Sequence, residues 1–410
     1  MFDEFKIDPY ILILLGAGLI SLLAAVVPNV LRRRQFTPPV VYLLIGMVLA
    51  VIGGNYTDFD ILQHGEYIKR ISEFVVIIAL TNAGLKIKKP FSYETWKYSL
   101  RLLIITMPLT IIAAAWCGYW ILGLAPATAI LFGAIISPTD PVLASDFQTS
   151  KPSKEDDSEI RLGLTSEAGL NDGLAFPFTF FAIYLVSKGM DYSAWATEWL
   201  MVDVLYKITV GTLIGFVTGW LLFKIIFRVT SENHHSRISR GILSLALTLL
   251  PYAIAELLHS YGFIAVFISA CVFSRSEEKV KHMDSLHDFT EETERIFVAF
   301  LFIVVGIYVT ANFENLVRLE VVATALLCLF LIRPLAGWIA LTGMRLRRID
   351  RFVLSFYGIR GVGSVYYLMY AFQEASFPTA IDAIQLTTLI IVLSVLLHGL
   401  SASMITSKIS

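Results

Sequence analysis

Ser137-Pro138-Thr139-Asp140-Pro141 interrupts the apolar run 123–146, and Gly358-Ile359-Arg360-Gly361-Val362-Gly363 interrupts the run 351–372. Both place helix breakers and a charge where a hydrocarbon-spanning helix should be most regular. Each proline lacks a backbone donor and clashes with the preceding turn, so the first run should open beside Asp140. The run that follows the first of them, 160–186, carries Thr165-Ser166-Glu167-Ala168-Gly169-Leu170-Asn171-Asp172-Gly173 near its middle. An aspartate at the centre of a membrane helix costs about 2.5–3.5 kcal/mol on insertion scales. Two of them, Asp140 and Asp172, in consecutive runs point to a binding site for a positive charge.

Composition agrees with a membrane setting. Of 410 residues, 56% are apolar and 16% charged, against about 25% charged in soluble domains, and the mean hydropathy is +0.71. The net charge of −1 gives no field that would favour nucleic acid. Cys117, Cys271 and Cys328 lie in apolar runs and read as small core hydrophobes rather than as a disulfide framework or a metal site. Positive charge follows the first apolar run rather than preceding it, so a cleavable signal peptide is not expected.

With about 20 residues needed per crossing, thirteen spans are expected: 10–27, 38–53, 71–85, 100–122, 123–146, 160–186, 199–227, 240–258, 261–274, 289–309, 319–343, 351–372 and 383–405. Taken alternately, the loops at 32–34, 86–101, 151–161, 224–240, 275–281 and 345–351, with the tail, hold about 23 Lys and Arg, against about 5 on the other side. The N-terminus is therefore expected outside and the C-terminus in the cytoplasm. Six spans, a linking seventh and six more form two halves of opposite topology, the inverted repeat of secondary transporters. Span 4 then corresponds to 11, 5 to 12 and 6 to 13. The interrupted spans 5 and 12 are equivalent, and matched interruptions are the best sequence pointer to a transport site.

Freed carbonyls and the Thr139 hydroxyl beside Asp140 are hard oxygen ligands suited to an alkali cation. Glu167 and Asn171, four residues apart, share a helix face. Asn171 is expected to support the helix crossing by an interhelical hydrogen bond. Gly163, Gly169 and Gly173 are expected to let the broken part of span 5 come close. Arg333 needs a buried carboxylate, and Glu167 is the choice that leaves Asp172 exchangeable. Arg360 should hydrogen-bond carbonyls at the break, near Gly358, Gly361 and Gly363, or face an aqueous vestibule. Glu291, Glu292 and Glu294 read first as helix-N-terminal acids and second as a cation-attracting funnel. His259 and His398 read as isolated, with no metal spacing. Asp203, Lys207 and Glu256 are expected to pair locally near the outer boundary.

Taken together, Ser-Pro-Thr-Asp-Pro in span 5, Ser-Glu-Ala-Gly-Leu-Asn-Asp-Gly in span 6, the Arg of span 11 and Gly-Ile-Arg-Gly in span 12 resemble the monovalent cation/proton antiporters. The resemblance is to the electroneutral NhaP and sodium/proton exchanger branch, and it covers essentially the whole chain. It implies an NhaA-like all-α fold with crossing interrupted helices. It also implies a dimerisation domain in two parts, 1–99 and 187–318, and a core transport domain in two parts, 100–186 and 319–410. By motif, Asp172 would be the principal ion and proton carboxylate, with Asp140, Thr139, Ser166 and Glu167 around it, and Glu167–Arg333 the buried pair. Sodium would sit at Asp172, Asp140, Thr139 and Ser166. Pro334 departs from the pattern, because it bends span 11 where Arg333 must reach. The chain ends about five residues after span 13, so a regulatory tail binding nucleotide or calmodulin is not expected.

These readings give an electroneutral sodium (or lithium) for proton exchanger and not an enzyme. It would be a homodimer in the plasma membrane, serving pH homeostasis, with no cofactor and no nucleic-acid partner. Potassium/proton exchange is the alternative. A cation channel lacks a selectivity-filter sequence here. An intramembrane aspartyl protease would need Tyr-Asp and Gly-Leu-Gly-Asp patterns that do not occur.

Overall fold

The computed structural model describes residues 8–31, 37–54, 61–141, 143, 158–232, 240–276 and 283–406. The charge runs at 32–34 and 151–157 and the end of span 5 at 144–146 lie outside the described residues.

Among the described residues the chain is helical, with no strand. All thirteen expected runs contain helix: Pro9–Leu31, Pro38–Gly53, Gly65–Leu85, Tyr93–Leu122, Pro126–Ile136, Glu159–Lys188, Ala196–Arg228, Arg240–Leu257, Gly262–Ser276, Met283–Ala311, Leu319–Ala340, the pair Arg348–Phe356 and Val362–Glu374, and Ala380–Thr406. Span 3 starts six residues earlier than hydropathy suggests, because Glu66, Lys69, Arg70 and Glu73 pair along its first turns and mask a helix as a loop. Span 1 turns nearly all of its apolar surface outward; Ile13 and Leu15 are more than half exposed. Such a surface suits hydrocarbon, where only backbone groups must be satisfied internally.

Small residues set the helix spacing. Gly211, Gly215 and Gly219 of span 7 lie over Tyr261, Ala265 and Ser269 of span 9, and a Cβ at each would meet that backbone. Gly46 of span 2 and Gly306 of span 10 do the same against Ile303 and Leu43. Without a hydrophobic drive between helices in lipid, close backbone packing of this kind holds them together. Gly169 and Gly173 of span 6 make room for Phe267 and Ile264 of span 9, and Gly163 for Leu354 and Tyr98. This corrects the expectation that these glycines admit span 5. They face away from it, one side of the helix being needed for Asn171 and Asp172.

Spans 4 and 11 share an unusual local shape. In span 4 nine α-helical residues, Tyr93–Arg101, lead into five π-helical ones, Leu102–Thr106, and then Met107-Pro108. In span 11 nine residues, Leu319–Leu327, lead into five π-helical ones, Cys328–Ile332, and then Arg333-Pro334. A proline cannot donate to the preceding turn, and a π-bulge absorbs the mismatch. The matched bulges register one half on the other and make Met107 the counterpart of Arg333.

Candidate functional site

Span 5 leaves its helix after Ile136, and span 12 is non-helical from Tyr357 to Gly361. The two breaks lie against each other. Asp140 N donates to Ile359 O at 2.8 Å, and Val362 N donates to Asp140 Oδ2. The Asp140 carboxylate thus caps the second half of span 12 at its positive helix end. Its other oxygen accepts from Leu143 N at 3.3 Å. Ser364 Oγ donates to Ile135 O at 2.9 Å and satisfies a carbonyl freed at the end of the span 5 helix. The interruption of span 12 ends at Gly361. Gly363, expected within the break, stands instead in the first turn of the helix Val362–Glu374, because the Asp140 cap restarts the helix at Val362.

Span 6 crosses this arrangement. Asn171 Nδ2 donates to Thr139 Oγ1 at 2.8 Å, linking the span to the first break. Asp172 is 1% exposed, and neither of its carboxylate oxygens has a hydrogen-bond partner among the described residues. Its main-chain carbonyl accepts from the Tyr367 hydroxyl, which fixes the helix and leaves the carboxylate unengaged. A Cβ at Gly363 would stand 2.7 Å from Asp172 Oδ1, and one at Gly361 would collide with Asp140 Oδ2. Both carboxylates are approached by bare backbone, in a setting of oxygen donors suited to a small alkali cation.

Arg333 Nη2 pairs with Glu167 Oε1 at 2.7 Å, with both side chains about 3% exposed. The π-bulge before Arg333 accommodates Pro334 without turning the guanidinium away. Arg360 is buried as well; its Nη1 donates to Gly358 O at 2.6 Å and its main-chain N to Ser394 Oγ at 2.9 Å. A Cβ at Gly358 would meet Arg333, Arg360 and Thr139 together. Ser166, placed by the resemblance among the ion ligands, directs its hydroxyl to Leu162 O at 2.6 Å and shares a hydrogen bond with Ser99 of span 4.

Beyond Asp172, the Lys- and Arg-poor end is sealed by rings. Phe176, one turn on, stacks on Tyr261 and meets Tyr367, both at 4.9 Å between centroids, and Phe263 at 5.3 Å. Toward the other end a cavity of about 260 Å³ reaches Pro141, next to Asp140, and is lined by Asn82, Lys86, His287, Glu291, Glu294 and Arg295 among others. This cavity approaches the site from the Lys- and Arg-rich end.

Outlying residues resolve as follows. Lys207 pairs with Asp203 at 2.7 Å, and Glu256 accepts from Gly262 N at 3.3 Å. His398 is not isolated: its Nδ1 lies 2.8 Å from Ser394 O, and its ring packs on Phe356 and Tyr357. His287, Asp288 and Glu291 bring their ligand atoms within 4.8 Å of one another. The sequence reading passed over this group; the i,i+4 spacing of His287 and Glu291 is its only signal.

Crossed, interrupted helices define the fold, and the comparisons place it in a family. The profile of the family described as "Sodium/hydrogen exchanger, transmembrane" matches residues 18–408, and the chain belongs to that family. It is similar to the K(+)/H(+) antiporter NhaP2 of Shewanella oneidensis, 23% identical over 81% of this chain and 56% of that one. It is also similar to a Na(+)/H(+) antiporter of Schizosaccharomyces pombe, 25% identical over 66% of this chain and 59% of that one. The chain thus spans less than two thirds of the length of these curated relatives. Among solved structures it resembles the sodium proton antiporter MjNhaP1 of Methanocaldococcus jannaschii at pH 8, with a TM-score of 0.72, 19% identity, and coverage of 98% of this chain and 99% of that one. The likeness establishes the shared fold.

Proposed function

We propose that the protein is a secondary active transporter exchanging one sodium ion, or lithium, for one proton. The observation that carries this is Asp172: a buried carboxylate beside two helix breaks, with neither oxygen hydrogen-bonded among the described residues. Every other buried charge of the site has a fixed partner: Glu167 has Arg333, Asp140 caps span 12, and Arg360 bonds the freed carbonyl. Asp172 alone is left to exchange its counter-charge.

Sodium and proton compete for that one carboxylate. The core, spans 4–6 and 11–13, crosses with either bound. It does not cross with Asp172 bare and ionised, because that carries an unpaired charge through hydrocarbon. This rule enforces exchange over leak. Asn171 does not titrate, so each cycle moves one charge in each direction and is electroneutral. Asp172, Asp140 and Thr139 line the ion's position in this reading, with Ser166 in support through span 4. Spans 1–3 and 7–10 form the static, dimeric scaffold. The protein resides in the plasma membrane with its C-terminus in the cytoplasm, on the side rich in Lys and Arg.

Potassium/proton exchange is the second reading, favoured by the name of the Shewanella relative. Proton-coupled flux in proteoliposomes, measured separately with sodium, lithium and potassium, tests the proposal. Cation-dependent proton movement with sodium or lithium supports it. Potassium-only coupling selects the second reading, and voltage-driven flux without proton coupling overturns both.

A further inference from the structure

The vestibule beside Asp140 holds another buried carboxylate. Glu294 of span 10 is 8% exposed and lines the cavity that reaches Pro141. Its Oε2 accepts from Asn82 Nδ2 at 2.5 Å, and Asn82 Oδ1 accepts in turn from the Thr290 hydroxyl. Glu291, one turn earlier, is neutralised by Arg295 at 2.5 Å. Glu294 has no ion pair among the described residues, and an amide alone compensates a buried carboxylate poorly. Lys86 lines the same cavity, and Glu294 senses the charges of Lys86, Asp140 and Glu291 at longer range.

Glu294 and Asn82 both line this cavity of about 260 Å³ beside Pro141, and a buried carboxylate without an ion pair is a hard-oxygen ligand for a small cation. We propose that Glu294, held in place by Asn82, binds the transported monovalent cation at a second site in the vestibule, where it sheds part of its water before passing to Asp140 and Asp172. This rests on the antiporter reading above. Asn82 and Glu294 belong to spans 3 and 10, the proposed static scaffold, whereas Asp140 and Asp172 belong to the proposed moving core. The vestibule site therefore serves the ion only while the core opens to that side, and its loss has a sided effect.

The test uses oriented proteoliposomes of the full chain, with sodium offered from one side at a time. Glu294→Gln should raise the half-saturating sodium concentration on the vestibule side about tenfold, the scale of charge focusing in a cleft, with a smaller change in maximal rate and no change on the opposite side. Glu294→Asp should restore much of the affinity. In purified Asp172→Asn protein, thallium(I) should still bind and should be displaced by sodium, and the added Glu294→Gln should remove that binding. Three results would overturn the proposal: unchanged half-saturation on both sides, equal rises on both sides, or a fall in melting temperature alone, which would make Glu294–Asn82 a structural tie. Should Glu294→Gln fail to fold, Asn82→Ala, which keeps the carboxylate and removes the amide that positions it, carries the same sided test. Failure of the antiporter reading would appear separately, as wild-type protein without proton-coupled sodium flux.

Discussion

Spans 4–6 and spans 11–13 are built alike but charged oppositely. Spans 4 and 11 place a five-residue π-bulge nine residues into the helix, each followed by a proline two positions on. Spans 5 and 12 both break at mid-length. Yet the first half contributes Asp140, Glu167 and Asp172, and the second contributes Arg333 and Arg360. Where the first half has Met107, its counterpart position in the second has Arg333. The repeat supplies geometry twice, and in the proposed cycle the charges divide the labour: the second half fixes, the first half exchanges. Glu167 is held by Arg333. The Asp172 carboxylate stands close to Gly363 and has no hydrogen-bond partner among the described residues.

The comparison can be broken first at Asp172. Asp172→Asn should abolish coupled exchange and should not lower the melting temperature, because no native partner is orphaned. A stability loss comparable to that of Glu167→Gln would show that Asp172 is also a fixed charge.

The fixed pair should behave in the opposite way. Glu167→Gln or Arg333→Ala each leaves a buried charge uncompensated and should cost about 3–5 kcal/mol. The double variant should lose less than the sum, read as a coupling energy in a thermal double-mutant cycle. Additive losses would dissolve the pair.

Backbone approach comes next in size. Gly361→Ala places a methyl against Asp140 Oδ2, and should destabilise the protein by about 1–3 kcal/mol as overpacking does, with transport impaired. Gly16→Ala, where nothing lies within 4 Å, should be neutral in both assays. Equal effects would mean that the crossing of the breaks is looser than described.

The smallest effect is expected at Asn171→Ala. It removes the 2.8 Å hydrogen bond to Thr139 and should cost about 1 kcal/mol, weakening sodium affinity without abolishing exchange. Complete loss of transport would make Asn171 part of the ion's own shell.

Much of this was legible in the sequence, and for physical reasons. Thirteen apolar runs have thirteen helical counterparts, because hydropathy and length are what a bilayer selects. Pro138, Pro141, Gly358 and Gly361 marked both breaks because they act locally, on their own turn. Arg333 was paired with Glu167, rather than with Asp140 or Asp172, because that choice leaves Asp172 exchangeable. The rest depended on tertiary distance. The π-bulges have no compositional mark, and Pro108 and Pro334 were their only trace. Gly211, Gly215 and Gly219 stand at four-residue spacing, but which helix they admit is a matter of packing. Asn82 and Glu294 are 212 positions apart, so no motif links them. The charge masking the start of span 3 misplaced its boundary, because paired charges at a helix end look like a loop to a hydropathy sum.

In the proposed cycle one carboxylate, Asp172, carries sodium and proton in turn. The measurement that tests it most directly is the sodium dependence of exchange in proteoliposomes from pH 5 to pH 9, with the membrane potential clamped by potassium and valinomycin. A proton bound to Asp172 excludes sodium, so the half-saturating sodium concentration should be flat at alkaline pH. Below the carboxyl's pKa it should rise as pH falls, approaching about tenfold per unit. At every pH the rate should be indifferent to the clamped voltage. A sodium affinity flat across the acid range, or a rate that follows voltage, would contradict the account.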